Sequence, residues 1–304
     1  MSQDLINEIM ALKKEKKAIL LAHNYQAPII QDLADFTGDS LELAQKTSKI
    51  KANLIVFAGA EFMAETAAIL NPTKKVIIPS TMVKCPMAYM LSPKVLTEYK
   101  TKYPNAIVAL YINSTAETKA LADICITSGN AINVISSLKE REILIGPDKN
   151  LAHYIQLKIP DKKIIPIPDD GYCYVHQKFQ PSDIRMKKEF YPNAEVIVHP
   201  ETEPVVQELA DKVTSTAGML MEVSLSKSRE FIVGTEIGLL DRLRKEYPDK
   251  KFIPLLNEAI CIQQKKITLY NLYLSLLYER YQIQIPREIA NYSRRAIERM
   301  LQLS

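Results

Sequence analysis

Three of the four cysteines are evenly spaced along the chain. Cys85, Cys173 and Cys261 stand 88 residues apart, and Cys125 falls outside this series. The same shift of 88 residues brings eleven positions into identity in all three copies, where ordinary residue usage would give about one such match or fewer by chance. The chain is therefore an internal triplication. Three related units that each offer one thiolate from the same place predict that the thiolates converge on one point.

Converging thiolates repel one another, so this spacing predicts a bound cation. Zinc is one option, because Cys173 and His176 have the local spacing of a Cys3His site. An iron–sulfur cluster is the other, although the chain lacks the four closely spaced cysteines of a ferredoxin-type carrier. Three ligands on a four-iron cube leave one iron open as a Lewis acid, which favours dehydration chemistry over electron transfer.

Polar side chains follow the apolar runs of every unit at matching positions. The residue types differ among the three copies, but every one of these side chains can form hydrogen bonds. Polar side chains at matching positions of three copies predict a polar cavity on a pseudo-threefold axis. Hydroxyls near strand ends and helix N-termini suit carboxylates or phosphates, and imidazoles bind anions or move protons near neutral pH. The three sets are His23, Tyr111 and His199; Tyr25, Asn113 and Glu201; and Ser40, Ser128 and Thr216.

Each unit repeats one order of elements. An apolar run and a helical stretch ending in Leu-Ala-Asp precede a second run, a second helical stretch and a third run that leads to the cysteine. Short apolar runs between helices predict parallel strands buried on both faces. Ligands of such sheets bind beyond the carboxyl ends of the strands, where all of the candidate residues stand. The runs are 19–22, 54–57 and 76–78; 107–110, 143–145 and 164–167; and 195–198, 231–233 and 252–256.

These elements predict an α/β protein of three homologous three-layer α/β/α units, each with a short parallel sheet, in a pseudo-threefold arrangement. We expect the units at residues 1–86, 87–174 and 175–264. Residues 265–304 predict two helices that pack back on the first unit, with Thr268 as an N-cap.

Composition excludes several classes of protein. The net charge of +4 is spread along the chain without a basic run, so we expect no nucleic-acid partner. No apolar stretch approaches the roughly 20 residues of a membrane helix, and the N-terminus reads as an amphipathic helix rather than a signal peptide. Four cysteines in 304 residues make no disulfide framework, which favours a cytoplasmic location. Cys125, in a helix-like stretch, is expected to be a small core residue.

Over essentially its whole length the chain resembles the quinolinate synthase family. Each shared motif is weak alone, but all of them occur in order and with three cysteines at the expected places. The motifs are AHNYQ at 22–26, DSLELA at 39–44, FMAET at 62–66, YINS at 111–114, TSGNA at 127–131, PDKNL at 147–151, GYC at 171–173 with His176, HPE at 199–201, STAGM at 215–219 and GTE at 234–236.

The resemblance implies three α/β domains around a 4Fe-4S cluster that is held by Cys85, Cys173 and Cys261, with its fourth iron open to substrate. It also implies condensation of iminoaspartate with dihydroxyacetone phosphate to quinolinate, with loss of phosphate and two waters and no net redox change. This is a step of de novo NAD biosynthesis, and an aspartate oxidase or dehydrogenase would supply the iminoaspartate.

By the same resemblance, Glu201 is the best candidate for the acid/base group. Tyr25, Tyr111 and His199 are the further catalytic candidates. The implied substrate-binding residues are His23, Ser40, Tyr111, Asn113, Ser128, His199, Glu201, Ser215 and Thr216.

Two alternatives of another class stay open on the residues themselves. One is a zinc-stapled binding protein for small anions, without catalysis, that uses Cys173 and His176 structurally. The other is a plain triplicated α/β scaffold without a cofactor. Iron, sulfide and zinc content distinguish these alternatives from the cluster enzyme.

Overall fold

The computed structural model describes residues 2–304, which form three four-stranded parallel sheets. The strand orders β2-β1-β3-β4, β6-β5-β7-β8 and β10-β9-β11-β12 are the same order repeated three times. Helices flank each sheet, so the predicted α/β architecture of three homologous units in a threefold arrangement is confirmed. Within residues 2–304, none of the helices combines the length and the apolar character needed to traverse a bilayer.

The first two sheets and their helices take up the chain as far as residue 166. The first comprises α1 (Ser2–Glu15), β1 (Ala18–His23), α2 (Pro28–Leu33), β2 (Phe36–Gly38), α3 (Ser40–Thr47), β3 (Leu54–Ala58), α4 (Glu61–Leu70) and β4 (Lys75–Ile77). The second comprises α5 (Pro93–Lys102), β5 (Ile107–Tyr111), α6 (Ala116–Lys119), β6 (Ile124–Ile126), α7 (Ala131–Ser137), β7 (Glu142–Gly146), α8 (Lys149–Lys158) and β8 (Lys163–Pro166).

The third sheet repeats this order, and two helices follow it. The third comprises α9 (Pro181–Phe190), β9 (Glu195–Val198), α10 (Pro204–Gln207), β10 (Lys212–Val213), α11 (Thr216–Leu225), β11 (Glu230–Gly234), α12 (Gly238–Glu246) and β12 (Lys251–Pro254). The tail forms α13 (Leu269–Tyr278) and α14 (Arg287–Gln302). Helix α13 packs on α1 of the first unit, whereas α14 lies against α4 and also against α6 and β6 of the second. The domain boundaries themselves stay a prediction.

The edge strands β2, β6 and β10 are additions to the three strands per unit that the apolar runs predicted. They are only two or three residues long, so their apolar pattern is too short to stand out. Cys125 lies in β6, so its helix-like assignment was wrong, and its prediction as a core residue is confirmed by its complete burial.

The repeated aspartates bind the first strand of each sheet to the segment that follows it. The Oδ2 atoms of Asp35, Asp123 and Asp211 accept hydrogen bonds from the backbone N–H groups of the strand, at 2.7, 2.8 and 2.7 Å. The backbone N–H of each aspartate also donates to the carbonyl of the same strand residue. The Leu-Ala-Asp identity therefore serves the scaffold. The three strand residues are Leu20, Val108 and Val196.

A repeated lysine performs a second scaffold role. The ammonium of Lys74 donates to the carbonyl of Ile50, that of Lys162 to Leu138 and Glu140, and that of Lys250 to Val223 and Ser226. These carbonyls lie at or beyond the C-terminal ends of α3, α7 and α11, where helix carbonyls lack intrahelical partners. A cation there also interacts favourably with the helix dipole.

Candidate active site

One cavity opens where the carboxyl ends of the three sheets meet, as the strand order predicts. All three sheets contribute to its wall. Of the predicted site residues, those that line it are His23, Tyr25, Ser40, Cys85, Tyr111, Asn113, Ser128, Cys173, His199, Glu201, Thr216 and Cys261.

Ser215 is the predicted site residue that is not part of the wall. Its side chain is buried and caps α11, because its Oγ accepts from the N–H of Gly218 at 3.2 Å. The hydroxyl of the next residue, Thr216, reaches the cavity instead. The position shared by Ser40, Ser128 and Thr216 is thus the one that faces the ligand space.

Glu201 is the most strongly held acidic group in the cavity. Tyr111 donates its hydroxyl proton to Glu201 Oε1 at 2.5 Å, and His176 Nδ1 lies 2.7 Å from Oε2. Burial alone would raise the pKa of this carboxyl, but the nearby imidazoles of His199 and His176 and the Tyr111 hydroxyl outweigh burial and lower the pKa. Glu201 is therefore a carboxylate at neutral pH, with its donors already in place.

The backbone around Glu201 is also fixed. Asn150 donates its amide to the carbonyl of Glu201 at 3.1 Å, and Gln207 donates to the carbonyls of Pro200 and Thr202 at 2.9 and 2.7 Å. Neither Gln207 nor Asn150 was predicted as a site residue, although Asn150 lies in the shared motif PDKNL at 147–151. Because these amides are buried, they hold the carboxylate in one position without facing the ligand.

His23 and His199, which occupy matching positions in the first and third copies, are neutral bases. Burial lowers the pKa of both His23 and His199 to about 3. The His199 ring stacks on His176 with 4.6 Å between centroids, and its Nε2 lies 3.2 Å from Ser128 Oγ. A neutral imidazole presents one N–H donor and one acceptor, so these rings suit hydrogen bonding to a substrate oxygen.

A series of hydrogen bonds begins at Tyr25 in the cavity wall and continues through Thr235 to His176. The Tyr25 hydroxyl lies 2.8 Å from Thr235 Oγ1, which in turn lies 2.9 Å from His176 Nε2. Burial raises the pKa of Tyr25 well above its ordinary value, so the phenol stays protonated. Thr235 was not selected as a site residue, although the motif GTE at 234–236 contains it. Through His176 this chain is continuous with Glu201.

The three evenly spaced cysteines meet at the same cavity and are unpaired. Burial raises the pKa of each thiol, that of Cys85 to about 12. Cys261 accepts a hydrogen bond from the Tyr174 hydroxyl at 3.4 Å, and its backbone N–H donates to the buried Glu236 at 3.1 Å. Three partly buried thiols that share one cavity are donors of the kind that hold an iron–sulfur cluster, so the residues present fit such a group.

A smaller set of donors would suit a single metal ion. The ligand atoms of Cys173, His176 and Glu201 all lie within 4.8 Å of one another. The C-x-x-H spacing that favoured zinc in the sequence is therefore matched by proximity in the fold.

Comparison with known proteins agrees with this geometry. The family model of the quinolinate synthetase A protein matches residues 7–302. The quinolinate synthase of Pyrococcus abyssi (strain GE5 / Orsay) is 54% identical over 301 residues, covering 99% of this chain and 100% of that protein. The quinolinate synthase of Methanothermobacter thermautotrophicus is 51% identical over 305 residues, covering 100% of both chains. The resemblance predicted from the motifs is confirmed, and the chain belongs to the quinolinate synthetase A family.

Proposed function

We propose that this protein condenses iminoaspartate with dihydroxyacetone phosphate to form quinolinate, with loss of phosphate and two waters. The observation that carries the proposal is the convergence of Cys85, Cys173 and Cys261 on the cavity that also contains the Glu201 network. Membership of the quinolinate synthetase A family and the names of its relatives support the same reaction.

Family membership implies an iron–sulfur cluster, and we propose that it is a 4Fe-4S cluster held by these three thiolates. Such a cluster, when bound, supplies an open iron that acts as a Lewis acid toward hydroxyl and carboxylate oxygens. Burial raises the pKa of these thiols, so they would bind as thiolates only beside a cation that offsets the cost of burying their charge. The remaining chemistry belongs to the side chains of the cavity.

The substrates are anions, and the wall of the cavity is built to accept them. Ser40 and Thr216 are the first residues of α3 and α11, so their hydroxyls stand beside backbone N–H groups that lack intrahelical partners. The neutral rings of His23 and His199 add hydrogen bonds without a competing charge. We propose that these groups, with Asn113 and Ser128, bind the carboxylate, carbonyl and phosphate oxygens.

Glu201 is the proposed acid/base group for isomerisation and dehydration. As a carboxylate it accepts a proton from substrate carbon or oxygen, and the Tyr111 hydroxyl and His176 stabilise its charged form. Tyr25 and Tyr111 hold their protons at neutral pH, so each is suited to donate a proton to a leaving oxygen. The Thr235–His176 chain links Tyr25 to Glu201 and offers a route for returning that proton.

Supply of the substrate and cellular location stay predictions. Iminoaspartate hydrolyses readily as an imine, so an aspartate oxidase or dehydrogenase is the expected source. A cytoplasmic location is supported by the four unpaired cysteines in the described chain.

A zinc-binding protein for small anions is the second candidate function. The proximity of Cys173, His176 and Glu201 favours it, and a colourless protein with one zinc per chain would support it. That function leaves Cys85 and Cys261 on the cavity wall without a role, so we prefer the cluster enzyme.

Substitutions of Cys173, in the cavity wall, and of Cys125, outside it, test the proposed cluster. We expect Cys173→Ser to lose both the iron and quinolinate formation, because it removes a ligand. Cys125→Ser is the control, since Cys125 is also an unpaired thiol but lies in β6 outside the cavity wall. Iron, acid-labile sulfide and activity are measured on anaerobically purified protein, with about four irons per chain expected in the wild type and the control. Full iron and full activity in Cys173→Ser would refute the proposal.

A further inference from the structure

Asn24 connects a partly buried arginine, Arg242, to the cavity wall. It follows β1, its side chain is completely buried, and it is not part of the wall itself. Its Oδ1 accepts a hydrogen bond from Arg242 Nη1 at 2.8 Å, and its Nδ2 donates to Thr216 Oγ1 at 3.0 Å. Arg242 and Thr216 belong to the third unit, so the amide bridges two units.

The orientation of the Asn24 amide follows from its partners. A guanidinium has only donors, so the atom that faces Arg242 must be the carboxamide oxygen, and the NH2 group must face Thr216. The backbone of Asn24 is held as well, because its N–H donates to Gly38 at 3.0 Å and its carbonyl accepts from Gln31 at 3.1 Å. Arg242 is oriented by Glu246, which accepts from its Nε at 2.6 Å.

We propose that Asn24 is a positioning residue that makes Thr216 a hydrogen-bond donor toward an anionic oxygen of the substrate. The Asn24 amide donates to Thr216 Oγ1, so the hydroxyl proton of Thr216 points away from Asn24. Among the described residues, none accepts that proton from Thr216 Oγ1, and the side chain faces the cavity. The inference rests on the proposed function, whose substrates and product are anions.

The arginine strengthens this arrangement. Arg242, Asn24 and Thr216 form one row in which each group donates to the next, and hydrogen bonds in a row polarise one another in the same direction. Arg242 has two acidic neighbours, Glu246 at 2.6 Å from Nε and Glu42 at 3.8 Å from Nη1. The row thus presents donor character to the ligand without placing a cation in the cavity.

Reversing the row tests the proposal. Asn24→Asp keeps the shape and retains a partner for Arg242, but a carboxylate is only an acceptor, so the Thr216 hydroxyl must donate to it. The probes are quinolinate and dihydroxyacetone phosphate, titrated calorimetrically into anaerobic cluster-loaded protein. We expect the dissociation constant of at least one probe to rise about 10- to 100-fold, the loss of a hydrogen bond to a charged group. A loss for quinolinate alone assigns Thr216 to a carboxylate, and a loss for the other probe alone assigns it to the phosphate.

Asn24→Ala separates positioning from packing. It leaves a small void, but it leaves the Thr216 hydroxyl free to donate to the ligand. We therefore expect Asn24→Ala to unfold at a lower temperature than Asn24→Asp but to bind the probes more tightly than Asn24→Asp does. A purely structural role predicts weaker binding in the less stable variant, and that result would overturn the proposal.

The new charge of Asn24→Asp is controlled by a double-mutant cycle with Thr216→Val. If Asn24→Asp acts through the Thr216 hydroxyl, it should change the dissociation constants of the probes less than threefold in the Thr216→Val background, because that hydroxyl is absent there. An equal loss in both backgrounds would show charge repulsion and overturn the proposal. Wild-type protein that binds neither probe would overturn the proposed function together with this inference, whereas normal wild-type binding with unchanged Asn24→Asp binding would overturn this inference alone.

Discussion

The three repeated aspartates allow one stability experiment to be made three times within one molecule. Asp123 accepts from the N–H of Val108 at 2.8 Å, and Asp123→Ala would remove that acceptor. Val108 is completely buried, so its N–H depends on this acceptor, which reaches it from an exposed side chain. An unsatisfied buried donor costs about 1–3 kcal/mol, and we expect the free energy of unfolding to fall by that amount.

The other two copies extend the argument. Asp211→Ala should cost a similar amount, because Asp211 accepts from the buried Val196 at 2.7 Å. Asp35→Ala should cost the most of the three, since Asp35 also lies 3.1 Å from the ammonium of the largely buried Lys13. That ammonium keeps only its hydrogen bond to the carbonyl of Leu33.

The assay is equilibrium unfolding in urea, with Asp123→Asn as the matched control. The asparagine retains an oxygen acceptor at the same place, so its loss should be clearly smaller than that of the alanine variant. Activity should be unchanged in all of these proteins, because the aspartates bind the strands near their amino ends and the cavity lies at the carboxyl ends. A loss below about 0.5 kcal/mol in Asp123→Ala, the range of ordinary surface substitutions, would refute the reasoning.

Two further predictions concern buried charges. Glu201→Gln should keep the iron content and lower quinolinate formation about 10²- to 10⁴-fold, because the amide cannot take up a proton; full turnover would exclude the acid/base role. Lys119→Met should lower the free energy of unfolding by about 1–3 kcal/mol, because it removes the buried ammonium that donates to the Phe62 carbonyl and the Thr66 hydroxyl and whose charge acts to lower the pKa of the partly buried Glu65. The double variant with Glu65→Gln should recover part of that loss in urea unfolding, and no recovery would contradict the electrostatic coupling between the two side chains.

Much of the fold could be predicted because each apolar run occurs three times in the sequence, once in each copy. Runs such as 195–198 agree with the strand bounds of the structure. The edge strands escaped notice because two or three residues carry no period, and Cys125 was misread for that reason. The predicted N-cap at Thr268 is confirmed, as its Oγ1 accepts from the N–H of Asn271 at 3.2 Å.

The cavity wall was predictable, but its supporting groups were not. Matching positions identified Tyr111 and Glu201, because three copies point to one axis. Thr235 and Arg242 act through contacts with residues 59 to 218 positions away, and no spacing in the sequence records such contacts. Gln207 bonds carbonyls five and seven positions away, but no repeat or motif identifies it. Hydrogen bonds between side chains of different units depend on how the units are docked, which the repeat alone does not specify.

Fusing the three copies into one chain removes a restriction that a ring of identical subunits would impose. A homotrimer places the same side chain three times around its axis, so a histidine at the first ring position would appear three times. In this chain the same position holds His23, Tyr111 and His199, while the cysteine position is unchanged. The three cysteines thus keep threefold symmetry, whereas the rest of the wall does not. Such a wall is able to tell apart two different small molecules and to hold them in one relative orientation.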